Sequence, residues 1–475
     1  MTHPDVPTMV CAAAERYPTA VAIEDGDRRV SYEELVEAAR RMASEFVTPG
    51  QVIALHLPRG ADFITAALAA MLAGAPFLPI DPHLPAERVE QMITLADAGI
   101  VVRGEDGTTA ARPRQAVAPP AGPVPAYIIF TSGSLGEPKG VEVSHAGLSN
   151  LVRWHNAAYG VASGTRALHT AGISFDAAIW EIWPYVCAGA TVVVAPDEVR
   201  TTPDLLAEFA AERDIEIAFV TTPVAEELLR MPEVKPGWRL LLTGGDRLRM
   251  SRRPEGWRIV NHYGPTEATV VTTAVDVTAC ADPSRPPIGR PIAGAEVLLI
   301  GRDGEAVATG ESGEIVIGGE GVALGYRGRP DLTEATFVAL PGRPGRWYRT
   351  GDMARALPDG NLDFLGRVNA EQLKVRGVRV EAAEIEDAML RHPHVRAALA
   401  VITGPASSES RLTLLVVGDG TAISAREARA FLSGHLAPWC LPDRFMWVPR
   451  LPLTANGKVD RAAARELASG GQESR

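Results

Sequence analysis

The strongest constraint on the fold is an alternation of strand-like and helix-like segments in the middle of the chain. Apolar runs of strand length lie at Thr191–Ala195, Ile215–Val220 and Arg239–Thr243, and helix-like patterns lie at Pro203–Arg213 and near Ala225. Helices that alternate with buried strands are typical of a mostly parallel sheet covered on both faces. The first 125 residues show the same alternation. The sequence therefore predicts an α/β fold whose ligands bind beyond the carboxyl ends of its strands.

Three polar loops follow predicted strands, and their convergence would form a binding site. They span Thr131–Lys139, Thr243–Asp246 and Asn261–Glu267. The first loop follows the apolar run Tyr127–Phe130 and offers hydroxyl groups, glycine-permitted backbone amides and one positive charge, which together suit a polyphosphate. These donors are Thr131, Ser132, Gly133, Ser134, Gly136 and Lys139. An ordinary surface turn is the alternative that composition alone leaves open.

Lysine is rare in this chain, so each lysine is informative. Of the 47 basic residues, only Lys139, Lys235, Lys374 and Lys458 are lysines. Arginine serves almost wherever a general positive charge suffices, so a retained lysine hints at a place where one flexible ammonium must reach one oxygen. Lys235, in the loop-like stretch VKPG, shows that chance retention also occurs.

Length, charge and cysteine content limit the classes of protein. At 475 residues the chain is too long for one compact core, and its 46% hydrophobic and 22% charged residues are ordinary for a soluble globular protein. The net charge of -11 argues against nucleic acid or an anionic membrane as the main partner. Four scattered cysteines and the absence of a signal sequence predict a cytoplasmic protein without structural zinc or disulfides. The uncharged stretch Ile64–Ile80 contains Gly74, Pro76 and Pro79, which favours a buried helix and strand over a membrane span.

Beyond residue 286 the pattern changes twice. Short alternating strands with glycine-rich turns between Pro286 and Phe364 predict a small β subdomain. After a hinge at residues 367–371, strand-like and helix-like segments resume and predict a small α+β domain over residues 372–475. Residues 1–366 would then form a large core domain.

Nine ordered motifs resemble those of one family, the adenylate-forming enzymes, and within it the adenylation domains of nonribosomal peptide synthetases. The similarity covers nearly the whole chain, and the ordered set is far more specific than any single motif. The motifs are SYEEL (Ser31–Leu35), MLAGAPFLPID (Met71–Asp81), TSGSLGEPKG (Thr131–Gly140), FDAAIWEIW (Phe175–Trp183), NHYGPTE (Asn261–Glu267), GEIVIGGEGVALGY (Gly313–Tyr326), YRTGD (Tyr348–Asp352), GRVNAEQLKVRG (Gly366–Gly377) and LPLTANGKVDR (Leu451–Arg461). The loop GSLGEPKG lacks the glycine that directly precedes the lysine of a Walker phosphate loop, which excludes that interpretation.

The resemblance implies a two-step reaction that uses ATP and Mg²⁺. An amino-acid carboxylate attacks the α-phosphorus of ATP to give an aminoacyl adenylate and pyrophosphate, and a thiol then takes the acyl group. By the family pattern, Thr131–Lys139 holds the β- and γ-phosphates, Thr266 contacts the α-phosphate, and Glu267 holds Mg²⁺. Lys458 matches the family's catalytic lysine, which a mobile C-terminal domain brings to the substrate carboxylate and the α-phosphate.

The resemblance also implies positions that bind the nucleoside. Gly245 and Asn261 match the positions that recognise adenine, and Tyr263 would stack on the base. Asp352 resembles the carboxylate that accepts both ribose hydroxyls, and Arg367 resembles the partner of ribose and phosphate. Without the family context, Asp352 would be interpreted as a turn residue.

Substrate choice follows from the same resemblance. Asp176 matches the aspartate that pairs with the α-ammonium group in members that activate amino acids, whereas an isolated aspartate at this position would be a helix N-cap. The implied pocket wall is mainly apolar and consists of Ala177, Trp180, Val220, Leu242, Gly244, His262, Val270 and Val271. No partner for a charged substrate side chain appears, so L-leucine or a similar mid-sized aliphatic amino acid is expected. His262 departs from the leucine-type pattern and could mark a modified or hydroxylated side chain.

Three departures from the family pattern affect particular steps. Leu135 stands where the family usually has threonine, which removes one hydroxyl donor from the phosphate loop. Asp246 replaces the usual glutamate of the Gly-Gly-Glu turn. The hinge segment is one residue longer than usual and has Asn369 or Ala370 where an acidic residue is expected, which bears on domain rotation. Lys374 matches a lysine in the strand after the hinge, with a structural role or one in the thioester-forming orientation.

Two other functions stay open at this point. An acyl- or aryl-CoA ligase of the same superfamily would leave Asp176 without an ammonium partner, and a catalytically silent nucleotide-binding or scaffold homologue would not need both Glu267 and Lys458. No segment resembling a carrier protein follows Lys458. We therefore expect a free-standing enzyme that loads the phosphopantetheine thiol of a separate carrier protein, with a small activating protein as a further conceivable partner.

Overall fold

The computed structural model describes residues 3–46, 50–105, 108–113, 122–131, 138–231, 237–301, 303–367, 372–375, 378–404, 410–452 and 459–470. Its α-helices are α1 (Val6–Arg16), α2 (Tyr32–Ala43), α3 (Ala61–Leu72), α4 (Ala86–Leu95), α5 (His145–Tyr159), α6 (Asp176–Cys187), α7 (Pro203–Glu212), α8 (Thr222–Arg230), α9 (Pro330–Thr336), α10 (Ala382–Leu390), α11 (Ala425–Ser433) and α12 (Arg461–Gly470). Short 3-10 helices lie at Thr266–Ala268 and Pro438–Cys440.

The strands, also numbered along the chain, are β1 (Val21–Asp25), β2 (Arg28–Ser31), β3 (Val52–His56), β4 (Phe77–Ile80), β5 (Ala98–Glu105), β6 (Thr108–Pro113), β7 (Pro125–Thr131), β8 (Lys139–Ser144), β9 (Arg166–His169), β10 (Thr191–Val194), β11 (Ile217–Thr221), β12 (Leu240–Gly244), β13 (Arg258–Tyr263), β14 (Thr273–Asp276), β15 (Arg290–Pro291), β16 (Ala295–Ile300), β17 (Ser312–Gly319), β18 (Gly325–Tyr326), β19 (Phe337–Val338), β20 (Trp347–Ala356), β21 (Leu362–Arg367), β22 (Gln372–Val375), β23 (Val378–Glu381), β24 (Val395–Thr403), β25 (Arg411–Gly418) and β26 (Arg444–Trp447).

A nine-stranded sheet has the order β15-β14-β13-β12-β11-β9-β10-β1-β2. Its inner strands pair in parallel, whereas β2, β14 and β15 pair antiparallel at the two edges. Among the inner strands, β10 (TVVV) and β12 (LLLTG) are largely runs of valine or leucine and are buried throughout, as expected for strands that helices cover on both faces. Phe219 and Leu242 belong to the apolar cluster on one face, and Val220 and Leu241 belong to the cluster on the other. The predicted α/β layering is confirmed.

A seven-stranded sheet has the order β18-β8-β7-β4-β3-β5-β6. The buried helix and strand predicted for Ile64–Ile80 are α3 and β4. Across the described residues, no helix has both the length and the apolar content to span a membrane. The stretch from Gly104 to Pro125 is rich in proline, glycine and alanine and lacks apolar periodicity, which predicts a surface connection, but part of it forms β6. This strand pairs antiparallel with β5, and the pairing compensates for its weak apolar pattern.

Local sequence signals explain where two important helices begin. Ser31 and Glu34 form a capping box at the start of α2, in which each side chain satisfies a backbone amide of the other residue. Ser144 caps α5 by accepting a hydrogen bond from the amide of Gly147 at 3.0 Å. The sequence therefore sets the start of α5, and with it the register of the side chains that α5 carries to its last turn.

The predicted β subdomain contains a five-stranded antiparallel sheet in the order β16-β17-β20-β19, with β21 paired to β20. The C-terminal residues form the β22-β23 hairpin and a sheet in the order β24-β25-β26. Leu399, Val401 and Leu415 from that sheet pack against Ala464 and Ala468 of α12. These elements agree with the predicted α+β composition of the C-terminal part.

The chain divides into two compact units. One contains residues 1–82, 93–130 and 140–368, and the other contains residues 83–92, 131–139 and 369–475. In the second unit, Arg88 forms an ion pair with Glu384 at 2.8 Å. The predicted hinge at residues 367–371 lies outside the described residues except for the backbone of Arg367, so the hinge stays a prediction.

Candidate active site

The carboxyl ends of β11, β12 and β13 lie side by side in the nine-stranded sheet. Thr243 lies beside Asn261 in the parallel register, and Gly244 lies beside His262. Two of the three polar loops, at residues 243–246 and 261–267, therefore leave neighbouring strands at the same sheet edge. The third loop follows β7, which belongs to the seven-stranded sheet rather than to this one.

Asp176 and Thr266, which are 90 positions apart, meet in one hydrogen bond. Thr266 Oγ1 donates to Asp176 Oδ2 at 2.7 Å. Asp176 is the first residue of α6, and the N-cap is Phe175, so Asp176 does not have the N-cap role that an isolated aspartate would suggest. Burial raises the pKa of Asp176 above its usual value; the hydrogen bond from Thr266 opposes this shift, and the charge of Glu267 adds to it. The ionised carboxylate would therefore be stabilised by a cation.

Glu267 lies next to this pair in the 3-10 helix and is fully buried. Its Oε1 accepts a hydrogen bond from the hydroxyl of Tyr326 at 2.8 Å, and its main-chain oxygen accepts from the amide of Ala323 at 2.9 Å. These contacts hold an anionic group at the end of the sheet. Among the described residues, no cluster of three or more acidic, histidine or cysteine side chains could hold a metal by itself. A single carboxylate fits Mg²⁺ when substrate phosphates and water complete the coordination.

Tyr263 and Asp352 form a second buried pair. The hydroxyl of Tyr263 donates to Asp352 Oδ2 at 2.7 Å, and the amide of Asp352 donates to Thr350 Oγ1 at 2.9 Å. Burial, and next the charge of Asp352, raise the pKa of Tyr263 well above its usual value, so the phenol stays a donor. Asp352 lies inside β20 opposite Arg367 on β21, so it is a strand residue and not a turn residue. The side chain of Arg367 is outside the described part of the structure.

Asn261 offers an acceptor at the same sheet edge. Its Nδ2 donates to the carbonyl oxygen of Pro287 at 2.8 Å. Its Oδ1 is buried and has no hydrogen-bond partner among the described residues. Gly245 follows β12 with φ 96°, a conformation that favours glycine. A buried acceptor of this kind suits a ligand amino group such as that of adenine.

Five residues of the predicted substrate wall belong to one buried cluster: Trp180, Leu242, His262, Val270 and Val271. Ala177 packs against that cluster, and Gly244 keeps close contact with His262, where a Cβ would lie 2.8 Å from the His262 carbonyl oxygen. Val220 instead points to the opposite face of the sheet. Its neighbour Phe219 faces Trp180, with ring centroids 5.3 Å apart, because side chains alternate along a strand. Phe219, which sequence reasoning missed, therefore takes the place of Val220 in the predicted substrate wall.

His262 does not present a free nitrogen. Its Nδ1 lies 3.0 Å from the carbonyl oxygen of Thr243, and its Nε2 lies 2.6 Å from the hydroxyl of Tyr159. Burial lowers the pKa of His262 to about 4, so the ring is neutral near pH 7. Both ring nitrogens already have protein partners, which leaves neither for a substrate hydroxyl.

Glu181 is a second residue that sequence reasoning missed. Its carboxylate is buried and accepts hydrogen bonds from the amides of Thr170 and Ala171 at 2.9 and 2.8 Å, and from the Thr170 hydroxyl at 2.9 Å. Nδ1 of His169 lies 2.7 Å from the same carboxylate. These bonds hold the start of the loop that leads from β9 to Asp176. The available signal was the single acidic residue within the otherwise apolar segment AAIWEIW.

The backbone after the 3-10 helix adopts a conformation that is rare for its residue types. Thr269 and Val270 have φ values of 55° and 69°, in the left-handed region that β-branched residues avoid. The hydroxyl of Thr269 donates to the carbonyl oxygen of Gly321 at 2.6 Å. Strained backbone of this kind is concentrated at functional sites.

Several predicted site residues lie outside the described residues, namely Ser132, Gly133, Ser134, Leu135, Gly136, Asn369, Ala370 and Lys458. Thr131 ends β7 and Lys139 begins β8, so the two ends of the phosphate loop are described and its middle is not. The roles of all these residues stay predictions.

Two family models match this chain. A model described as AMP-binding enzyme matches residues 10–327, and a model described as AMP-binding enzyme C-terminal domain matches residues 384–458. A linear gramicidin synthase of Brevibacillus parabrevis is 36% identical over 488 residues, which cover 96% of this chain and 6% of that protein. Bacitracin synthase 1 of Bacillus licheniformis is 36% identical over 474 residues, which cover 94% of this chain and 9% of that protein. The chain therefore spans only a small part of the length of these two relatives.

Solved structures show the same fold. PA1221, described as an NRPS protein containing adenylation and PCP domains, is 30% identical with a TM-score of 0.82 and matches 99% of this chain and 98% of that chain. The o-succinylbenzoate CoA synthetase of Bacillus subtilis is 21% identical with a TM-score of 0.83 and matches 96% of this chain and 98% of that chain. The latter similarity concerns the fold alone.

Proposed function

The chain belongs to the AMP-binding enzyme family and resembles nonribosomal peptide synthetase adenylation domains, and we propose that it activates an amino acid with ATP. In the first step, a carboxylate oxygen of the amino acid bonds to the α-phosphorus. The bond from that phosphorus to the bridging oxygen breaks, and pyrophosphate leaves. In the second step, a thiol attacks the acyl carbon and AMP leaves. The best substrate is L-leucine or a similar mid-sized aliphatic or modified amino acid.

The hydrogen bond between Thr266 and Asp176 carries this proposal. An α-amino acid holds its ammonium group and its carboxylate on the same carbon atom. An ammonium group paired with Asp176 therefore keeps the substrate carboxylate close to Thr266, which lies 2.7 Å from Asp176. If Thr266 contacts the α-phosphate, the attacking oxygen and the phosphorus are held together, and such positioning supplies much of the catalysis.

The buried pair of Tyr263 and Asp352 supports the nucleoside part of the proposal. The Tyr263 hydroxyl donates a hydrogen bond to Oδ2 of Asp352. This bond orients the carboxylate that would accept hydrogen bonds from both ribose hydroxyls. Asn261 Oδ1 would accept a hydrogen bond from the amino group of adenine. Gly245, Tyr263 and Arg367 complete the proposed nucleoside site.

The remaining proposed roles concern the phosphates. Glu267 would hold Mg²⁺, which supplies positive charge to the pyrophosphate when it is bound. Thr131, Ser132, Gly133, Ser134, Gly136 and Lys139 would bind the β- and γ-phosphates. Lys458 would bridge the substrate carboxylate and the α-phosphate, since positioned cations stabilise the charge that develops there.

A carrier protein is the proposed acceptor of the acyl group. PA1221 contains both adenylation and PCP domains, according to its description. We propose that this chain transfers its aminoacyl group to the phosphopantetheine thiol of a separate carrier, with a small activating protein as a further candidate partner. We also propose that the protein acts in the cytoplasm, where ATP and a carrier protein would both be available to it.

Exchange of labelled pyrophosphate into ATP tests the proposal. The purified chain would be assayed with a panel of amino acids and of simple fatty and aryl acids, with and without Mg²⁺. Exchange that requires an aliphatic amino acid is the expected result. Exchange only with fatty or aryl acids would indicate an acyl- or aryl-CoA ligase instead, and no exchange with any acid would indicate a catalytically silent homologue.

A further inference from the structure

Two side chains of the proposed substrate wall carry polar ring atoms, Trp180 and His262, and each directs one ring nitrogen at helix α5. Trp180 Nε1 donates to Nδ1 of His155 at 2.8 Å. Nε2 of His262 lies 2.6 Å from the hydroxyl of Tyr159. His155 and Tyr159 are four positions apart on α5, so they lie on one face of that helix.

The tautomer of His262 follows from its partners. The carbonyl oxygen of Thr243 can only accept, so Nδ1 of His262 carries the ring proton and donates to it. Nε2 is therefore the acceptor of the hydrogen bond that the Tyr159 hydroxyl donates. A neutral imidazole has one donor and one acceptor, and the protein uses both.

The polar atom of Trp180 is also bonded within the protein. An indole has a single polar atom, and His155 accepts its proton. The rings of Trp180 and His262 pack against each other with centroids 4.8 Å apart. Phe219 packs against Trp180, with ring centroids 5.3 Å apart. The ring surfaces that remain at this part of the wall are carbon surfaces, without a free hydrogen-bonding atom.

We propose that Tyr159 and His155 are positioning residues that determine substrate specificity. They hold Nε2 of His262 and Nε1 of Trp180 in hydrogen bonds to α5, so that the pocket selects an apolar amino acid and rejects a polar one of the same size. A polar side chain that enters such a pocket loses its hydrogen bonds to water and gains none. This inference rests on the proposed amino-acid activation and deepens it.

The Tyr159→Phe variant tests the proposal. It removes the donor from His262 Nε2, leaves that acceptor unpaired and releases the ring from α5, so that the ring can turn a nitrogen towards an amide N–H of the substrate. Leucine and asparagine have similar sizes, as do valine and threonine. For the pair that contains the preferred substrate, we expect the apolar-to-polar ratio of kcat/KM to fall by about tenfold or more, mainly through a lower KM for the polar partner.

The matched control is Tyr32→Phe. Tyr32 is buried in the same apolar cluster, and its hydroxyl donates to the carbonyl oxygen of Ala190 at 2.7 Å. Its loss removes a comparable buried hydrogen bond that does not involve the wall residues, so the kcat/KM ratio should stay at the wild-type value. A fall in both variants would show that general loosening of the core, and not the bond to His262, changes the specificity, and would overturn the inference.

A spectroscopic measurement complements the kinetics. Imidazole ¹⁵N resonances distinguish the Nδ1–H tautomer from the Nε2–H tautomer, and His262→Gln identifies the signal by its absence. We expect the Nδ1–H tautomer in the wild type and a shifted Nε2 resonance in Tyr159→Phe. The Nε2–H tautomer in the wild type would overturn the inference even if Tyr159→Phe failed to fold.

The two proposals fail in different ways. A wild-type chain that exchanges pyrophosphate with no amino acid contradicts the proposed function, and the specificity inference falls with it. A folded, active Tyr159→Phe variant with an unchanged kcat/KM ratio overturns the inference and leaves the proposed function intact.

Discussion

Asp176 has to meet two opposing physical demands. Its surroundings favour the neutral carboxyl, because burial raises its pKa and Glu267 adds a nearby negative charge. Pairing with an ammonium group requires the ionised carboxylate. The free protein therefore holds a charge that it accommodates poorly, and a cationic substrate group would relieve this cost.

The Asp176→Asn variant should separate binding from stability. Without the carboxylate, the ammonium group of the substrate is left without its ionic partner, and loss of one partner of a buried pair costs about 3–5 kcal/mol. We expect amino-acid-dependent exchange to fall by about 10²–10³-fold. Because the folded-state pKa of Asp176 is raised, its charge opposes folding at neutral pH, and the Tm of the variant should not be lower than that of the wild type. A lower Tm with retained exchange would contradict this account.

The pH dependence of binding gives a second test of Asp176. As the pH falls through the raised pKa, the carboxyl takes up a proton and loses its attraction for the ammonium group. The KM for the amino acid should therefore rise towards acid pH, starting above the pH range in which an ordinary aspartate titrates. Steady-state exchange kinetics between pH 5 and 8 would measure it, and Asp176→Asn should lack this rise.

Some residues of the site could be predicted from the sequence and others could not, for physical reasons. Asp176, Thr266 and Glu267 stand in recognisable motifs, whereas Tyr159 acts on His262 across 103 positions and has no local signal. Phe219 and Val220 are both apolar strand residues. Only the face of the sheet that each one occupies decides which of them reaches Trp180.

At the scale of elements, the loop between β9 and α6 depends on Glu181. Its carboxylate accepts hydrogen bonds from two backbone amides of this loop, from the Thr170 hydroxyl and from His169. The loop ends at Asp176, so any change in the loop is transmitted to the start of α6. Glu181 is thus a positioning residue of the proposed site.

Glu181→Gln should lower stability and disturb amino-acid binding. A glutamine amide turns one N–H group towards donors that need an acceptor, at a cost of about 1–3 kcal/mol for each unsatisfied donor. We expect a lower Tm and a larger rise in KM for the amino acid than for ATP. Glu226→Gln on α8 is the control, since Glu226 is also buried and accepts from the amide of Arg249 at 2.8 Å. Equal effects of both variants on the two KM values would contradict a positioning role for Glu181.

The alternation of helices and strands could be predicted because buried strands are continuous apolar runs and the helices have clear periodicity. β6 was missed because its sequence, TTAARP, has neither pattern. Pairing with β5 supplies the stabilisation that the local sequence lacks. An edge strand of this kind is specified by its neighbour more than by its own residues.

At the scale of the whole molecule, the described site residues Asp176, Thr266, Glu267, Tyr263 and Asp352 all belong to one compact unit. The proposed catalytic lysine, Lys458, belongs to the sequence of the other unit. Substrate binding and the proposed chemical role of Lys458 are therefore assigned to different parts of the sequence.

Lys458→Ala should separate these two functions. We expect exchange to fall by at least about 10²-fold, because the lysine would contact the developing charge, whereas the ATP dissociation constant should change by less than about threefold. Calorimetry for ATP and the exchange assay measure the two quantities. Near-normal exchange would show that the lysine is misassigned, and the variant should also fail to load an added carrier protein.

Thr269 and Val270 have a consequence for directed evolution. Both hold left-handed backbone at a cost of about 1–3 kcal/mol each, and Val270 also belongs to the proposed wall. In a library that randomises the pocket, glycine and asparagine would be enriched at position 270 whatever amino acid is supplied, because these two residues adopt left-handed backbone at a lower cost than valine. Leu242 lies in the regular strand β12, so the residues selected at position 242 would reflect the supplied substrate rather than backbone strain.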